Sequence, residues 1–285
     1  MTNKVSDLVQ GIEGLITLPD VFIRINQLVN DPDSTTADIA KAVSQDPSFT
    51  VRLLRVANSP FYGFSSSIDT VSRAVAVIGT SQIRNLALST SVARTFAGLP
   101  NELVSMDNFW HHSLFCALTA RILSKQVRRC DSEAVFTAGL LHDIGELVIF
   151  NRLPEQAKEA LLLVLDSGDE LPVHLAEQQV MGLDHAQVGG ELARQWNLPP
   201  LLTECIAYHH DVAKAEHYPM ETAVIHIANI LAQMAEVNTL NPDDVQPIDP
   251  QSWEITGLDA DETIEATVRE AQAEITEAKK LFLGE

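Results

Sequence analysis

Gly139-Leu140-Leu141-His142-Asp143-Ile144-Gly145-Glu146 sets a histidine and an aspartate side by side in an otherwise apolar run. An isolated carboxylate in such surroundings is costly to desolvate. A divalent cation offsets that cost, because neutral imidazole and carboxylate are both ligands for Zn, Fe, Mn or Ni. A helix whose polar pair is hydrogen-bonded to neighbouring helices meets the same demand, and the dipeptide alone does not separate the two. Outward from this stretch, apolar spacings of three and four recur and nothing alternates convincingly at period two. The chain reads as all-α.

The helices can be laid out from their breakers and caps. Leu18-Pro19 opens a segment with Val21, Ile25 and Leu28 on one face, ended by Asn30-Asp31-Pro32-Asp33. Hydroxyl caps and an acidic first turn between Ser34 and Asp38 start the next, and Asp46-Pro47 starts a third that Asn58-Ser59-Pro60 breaks. Gly79 separates helices over 72–78 and 81–96, and Ala97-Gly98-Leu99-Pro100 is the clearest breaker of the first half. Beyond it the pattern predicts helices over 109–124, 133–150, 153–165, 171–181, 185–196, 201–209 and 221–235. Asn238 to Asp249, with Pro242 and Pro247, reads as a linker. Asp259 and Glu262 cap a last helix whose stripe of Ile264, Val268, Ala271, Ile275 and Phe282 fits packing on the chain's own core. The organisation that follows is a first helical subdomain over 1–97, a second helical bundle over 98–240, and an acidic linker with a C-terminal helix over 241–285.

Composition removes several function classes. The 285 residues carry a formal net charge of −20, and 46% of them are hydrophobic, as in an ordinary globular protein. Residues 236–285 hold thirteen acidic and three basic side chains, which is half of that net charge. Such a balance argues against nonspecific attraction to nucleic acid or anionic lipid. The helix, turn and helix over Thr36 to Ala57 resembles a DNA-reading motif in outline. Lys41, Arg52 and Arg55 face Asp38 and Asp46 there, too small an excess to neutralise several phosphates. Cys116, Cys130 and Cys205 are too few and scattered for a disulfide framework, and they read as reduced. A polar start at Met1 to Gln10 and the lack of any long apolar run predict a cytoplasmic protein without membrane spans.

The nine histidines then carry the argument. His112 sits early in a helix, His142-Asp143 lies on the next, His185 starts another, and His209-His210 closes one more. Asn229 lies one turn beyond His226. Each candidate ligand comes from a different helix, which is how metal sites in bundles are built. Neighbours on a helix point about 100° apart, so His142 and Asp143 share a cation only if it sits between their two directions. His111, His174 and His217 read as surface residues, His226 as a core histidine on the face of Asn229, and Trp110 and Trp196 as packing.

The order His112, His142-Asp143 and a late acidic or amide position resembles the signature of the HD superfamily of metal-dependent phosphohydrolases. Leu18-Pro19, Asp46-Pro47, Leu53-Leu54-Arg55, Asn58-Ser59, Ile78-Gly79 and Arg84 are similar to one branch, the HDOD domain of bacterial signalling proteins. The resemblance runs from about Leu18 to Ala235, and more loosely through Trp253 to Leu258. It implies an HDOD-type helical half packed on an HD-type bundle, and a role in signal transduction through bacterial signalling partners. Self-association is left open. It further implies a divalent metal held by His112, His142, Asp143, His185, His209, His210 and Asn229, the later histidines matching those that hold a second metal in HD-GYP phosphodiesterases.

Three departures bear on catalysis. Asn229 stands where the superfamily places its last aspartate, Glu146 where a phosphate-binding lysine is common, and the segment after His210 lacks the HD-GYP glycines. The expectation is therefore a metal-binding regulatory module. The alternative is a phosphohydrolase acting on nucleotides or cyclic dinucleotides, with Asp143 in the reacting centre.

Overall fold

The computed structural model describes residues 2–10, 18–59, 67–96, 103–168 and 171–282, and all regular structure among them is helical. By compactness the chain divides into two units. One comprises residues 1–16 with 99–276, the other 17–98 with 277–285. The breaker expected at Ala97 to Pro100 lies outside the described residues.

The smaller unit contains α2 (Asp20–Asn30), α3 (Thr36–Ser44), α4 (Pro47–Ala57), α5 (Val71–Ile78) and α6 (Thr80–Phe96). Local chemistry starts them. Thr35 and Asp38 form a reciprocal capping box on α3, and Asp46 caps α4 through Phe49 N, with Pro47 in its first turn. Gly79 ends α5 at φ 95°, a backbone conformation that suits glycine. The core draws on Phe22, Ile25, Ile39, Val43, Leu53, Val75 and Ile83. On α2 the buried face is Phe22, Ile25 and Asn26, so of the predicted face only Ile25 is fully buried. Val21 and Leu28 are half-buried.

The larger unit contains α1 (Thr2–Gln10), then α7 (Met106–Ser124), α8 (Ser132–Leu141), α9 (Ile144–Arg152), α10 (Pro154–Asp166) and α11 (Val173–Met181). It continues with α12 (His185–Gln195), α13 (Pro200–Tyr208), α14 (Pro219–Glu236) and α15 (Pro250–Thr256). α16 (Ala260–Phe282) runs from this unit into the other. From Ser113 to Ser124 on α7, and from Thr222 to Ala232 on α14, every residue is buried. Helices apolar all round belong in the middle of a core, and α7 packs on both α8 and α14. No described helix is long and apolar enough to cross a membrane.

One predicted helix is corrected. The stretch over 133–150 is two helices, broken at His142 and Asp143, where Asp143 takes φ −95° and ψ 11°. Helices α1 and α15 were not foreseen as such.

Candidate metal centre

The break between α8 and α9 removes the difficulty of adjacent residues diverging on one helix. His142 ends α8 and Asp143 precedes α9, so both side chains turn to the same interior point. Their contact is His142 Nε2 to Asp143 Oδ2 at 2.9 Å. Gly145, two residues on, lets α9 reach α12. A Cβ there would stand 2.0 Å from the carbonyl oxygen of His185 and 2.6 Å from Gly189 N. That close approach carries His185 to the Asp143 carboxylate.

The two oxygens of Asp143 face different histidines. Oδ2 meets His142 and, at 3.5 Å, His112 Nε2 from α7. Oδ1 meets His185 Nε2 at 3.3 Å and His209 Nε2 at 3.4 Å. His210 Nε2 lies 2.9 Å from His185 Nε2. Two ligand sets therefore share one carboxylate: His112, His142 and Asp143, and Asp143, His185, His209 and His210. Within each, one atom per residue lies within 4.8 Å of the others. Asn229 Oδ1 is 3.0 Å from His112 Nε2, on the side of the first set. The structure thus brings together all seven residues proposed from the sequence.

The outer nitrogens fix the tautomers. His142 Nδ1–H donates to the carbonyl of Gly139 at 2.8 Å, and His209 Nδ1–H to that of Ile206 at 2.9 Å. Carbonyls only accept, so a neutral ring at either position keeps its lone pair on Nε2. His185 gives Nδ1 to Glu177 Oε2 at 2.7 Å, and His112 gives Nδ1 to Glu236 Oε1 at 3.0 Å. Such outer partners orient metal-binding imidazoles. The inward nitrogens then point lone pair against carboxylate oxygen. His142 Nε2, His209 Nε2 and Asp143 Oδ1 are buried, and none makes a hydrogen bond. Buried polar atoms facing one another as acceptors need a cation between them, and two or three imidazoles with one carboxylate suit a divalent transition metal.

A model of the HDOD domain matches residues 15–212. The chain belongs to the HDOD family. An uncharacterised protein of Treponema pallidum (strain Nichols) is 26% identical over 240 residues, covering 84% of this chain and 46% of that protein. The chain thus spans about half the length of that relative. An HDOD domain protein of unknown function from Geobacter sulfurreducens has a TM-score of 0.71 at 23% identity, covering 99% of this chain and all of that one. A protein of Shewanella amazonensis SB2B, provisionally named a phosphohydrolase, has a TM-score of 0.72 at 26% identity, covering 96% of this chain and 97% of that one. A protein of Marinobacter aquaeolei VT8, provisionally named a signal transduction protein, has a TM-score of 0.71 at 22% identity, covering 94% and 60%.

Electrostatics in this HDOD chain set neutral His209 and His210 beside one ionised carboxylate. Burial pushes His209 down to about 4, and burial with the neighbouring His209 and His185 rings holds His210 well below the ordinary imidazole range. Burial would raise Asp143, but the charge of His142 and the rings of His185 and His209 outweigh it and hold the carboxyl well below its usual range. His142 and His185 also lose by burial, yet the Asp143 and Glu177 carboxylates respectively draw them well above the ordinary value. Both carboxylates therefore ask for positive charge at this point. Burial, then the Asp143 charge, pushes Glu146 up to about 8.

Several nearby residues were not foreseen. Glu177 accepts both the backbone N–H of His185, at 2.8 Å, and its ring nitrogen, and with Glu146 and His185 it forms a further group of possible ligands. His174, predicted to be on the surface, is half-buried and stacks on His210 with ring centroids 3.9 Å apart. His226 is buried as expected, but it faces the carbonyl of His209 and the backbone N–H of Asp249 rather than the cluster. His217 is an exposed residue.

Proposed function

We propose that this HDOD chain is a signal-transduction module whose bundle holds one or two divalent metals and acts through protein interactions. The observation that carries the reading is the set of three buried atoms without hydrogen bonds, His142 Nε2, His209 Nε2 and Asp143 Oδ1, turned toward one another. His112, His142 and Asp143 would hold one cation, and Asp143, His185, His209 and His210 the other, with Asn229 beside the first. Glu177 and Glu236 hold two of the rings in register. Where bacterial signalling proteins meet this chain, a metal-dependent change in these helices would be the signal they read.

A second reading, phosphohydrolysis of nucleotides or cyclic dinucleotides, is favoured by the sharing of Asp143 between two ligand sets. A pair of cations stabilises both the attacking and the leaving oxygen of such a displacement. The provisional name of the Shewanella relative points the same way. Against it, the cavity over the cluster has no lysine or arginine among its described lining residues, while Glu146, Glu236 and Asp244 line it. Asn229 also supplies only a neutral oxygen.

Elemental analysis of the purified protein, then assays on nucleoside phosphates and cyclic dinucleotides with added Mn or Fe, tests both readings. Bound metal that is lost in His142→Ala, without turnover, is the expected result. Turnover that His142→Ala abolishes would replace the module by the enzyme, and a protein that takes no metal would remove both.

A further inference from the structure

The cavity over the cluster has a volume of about 460 Å³, within the range of small-molecule sites. Its lining joins polar ligand and acidic groups, the neutral amides Asn108, Asn229, Gln233 and Gln246, and an apolar surface. Asp143, His112, His185 and His210 present the ligand sets, with Glu236 and Asp244 adding negative charge and Glu146, pushed up to about 8, a carboxyl that is largely protonated at neutral pH. Phe109, Val164, Leu171, Val173, Val237 and Val245 supply an apolar surface. Val237, at 60% exposure, belongs to both the cavity lining and the solvent-facing surface. A polyanion such as a nucleotide would meet carboxylates with no basic side chain among the described lining to oppose them, and like charges at short range repel strongly in a partly dry cavity. The apolar surface, for its part, gains nothing from a free phosphate.

We infer that the cavity takes a small amphiphile, with a metal-coordinating head of at most one negative charge, such as a carboxylate or hydroxamate, and an apolar body lying along the valine, leucine and phenylalanine lining. This rests on the metal reading above for the head and on the apolar lining for the body. Such a ligand gives the module a chemical input, and its seat reaches the end of α14, where Glu236 holds His112.

The test is calorimetric titration of the Mn(II)-loaded full chain with octanohydroxamate, acetohydroxamate, inorganic phosphate and adenosine monophosphate, with metal content measured after each titration. Each methylene taken out of water is worth a factor of about four. Octanohydroxamate should therefore bind at least ~50-fold more tightly than acetohydroxamate, the equivalent of about three buried methylenes. Val237→Asn, at an exposed position and without added charge, should narrow that gap about tenfold and change acetohydroxamate binding less than octanohydroxamate binding, as should Val237→Asp. Equal binding of the two hydroxamates, phosphate or nucleotide binding tighter than octanohydroxamate, or a gap indifferent to Val237→Asn would each overturn the inference while leaving the metal in place. A chain that takes up no Mn(II) would overturn the metal reading itself.

Discussion

Replacing Gly145 by alanine tests whether the α9–α12 contact sets the geometry of the cluster. Helix propensity alone predicts a gain, since alanine is favoured over glycine by about 1 kcal/mol in a helix interior. The contact predicts the opposite. The new Cβ would lie 2.0 Å from the carbonyl oxygen of His185, where real Cβ atoms essentially never come within 3.0 Å. Both obstructing groups are backbone, so no side chain can swing away. The two helices must separate by at least about 1 Å, and overpacking of this kind typically costs about 1–3 kcal/mol. We place this substitution at the upper end, a net loss of about 2–3 kcal/mol, equivalent to a melting point about 4–12 °C lower. The same displacement carries His185 Nε2, now 3.3 Å from Asp143 Oδ1, out of reach of a shared cation, because metal–ligand bonds tolerate only a few tenths of an ångström. Metal affinity should fall at least about tenfold. Thermal denaturation in chelator reads the first effect and calorimetric metal titration the second. An unchanged or raised melting point with unchanged affinity would show that the helix spacing does not position His185, and the geometric argument would fail.

Glu177→Gln keeps the size of the side chain but removes the carboxylate that holds His185 Nδ1. Metal affinity measured by chelator competition should drop about 10–100-fold, and no change would mean that His185 is oriented by other contacts. Asn229→Asp places a second carboxylate near His112 and Asp143. It should lower the melting point in chelator by like-charge repulsion and raise metal affinity about tenfold, whereas no gain in affinity would remove Asn229 from the site. Burial, with Glu221 and Asp131 nearby, pushes the Cys130 thiol up to about 12. At pH 8 its thiolate fraction is then about one in ten thousand, against about a quarter for an ordinary thiol. Alkylation of Cys130 should be about a thousandfold slow at pH 8 and rise about tenfold per pH unit through pH 11. A plateau near pH 9 would show that the thiol ionises normally.

The fold was legible where local chemistry decides it. Asp46-Pro47, the Thr35–Asp38 box and Gly79 mark helix ends in the sequence and mark them in the structure. The break at His142-Asp143 was not legible, since residues 133–150 hold no proline and keep an apolar helical pattern throughout. What breaks that pattern is tertiary: a buried carboxylate seeking four imidazoles and a glycine pressed against another helix. The histidines could be found because each is rare and chemically marked. Glu177 could not, because one acidic residue in Ala176-Glu177-Gln178-Gln179 resembles any helix surface. Only the turn at Gly182, with φ 73°, brings it back against His185 eight residues later. His174 was missed for a similar reason, its neighbour His210 lying on a connection that sequence spacing does not relate to it.

Within a chain at −20, one central carboxylate gathers imidazoles of two electrostatic kinds. Four histidines approach Asp143, and burial keeps His209 neutral near neutral pH. The rings that the carboxylates draw up, His142 and His185, are those held at short range, 2.9 Å from Asp143 and 2.7 Å from Glu177 respectively. Each proton serves a single nitrogen–oxygen contact, and His209, which burial keeps neutral, meets Asp143 Oδ1 without one. A divalent cation has four or more neighbours, and one bound here would offset charge on Glu177, Glu236 and Asp143. The same arithmetic bears on function. Cations bound there would spend much of their charge on Asp143, Glu177 and Glu236, and Asp244 on the cavity wall would oppose a polyphosphate further. A site built this way is suited to holding metal more than to attracting phosphate, which is the division of labour that the proposed regulatory reading requires.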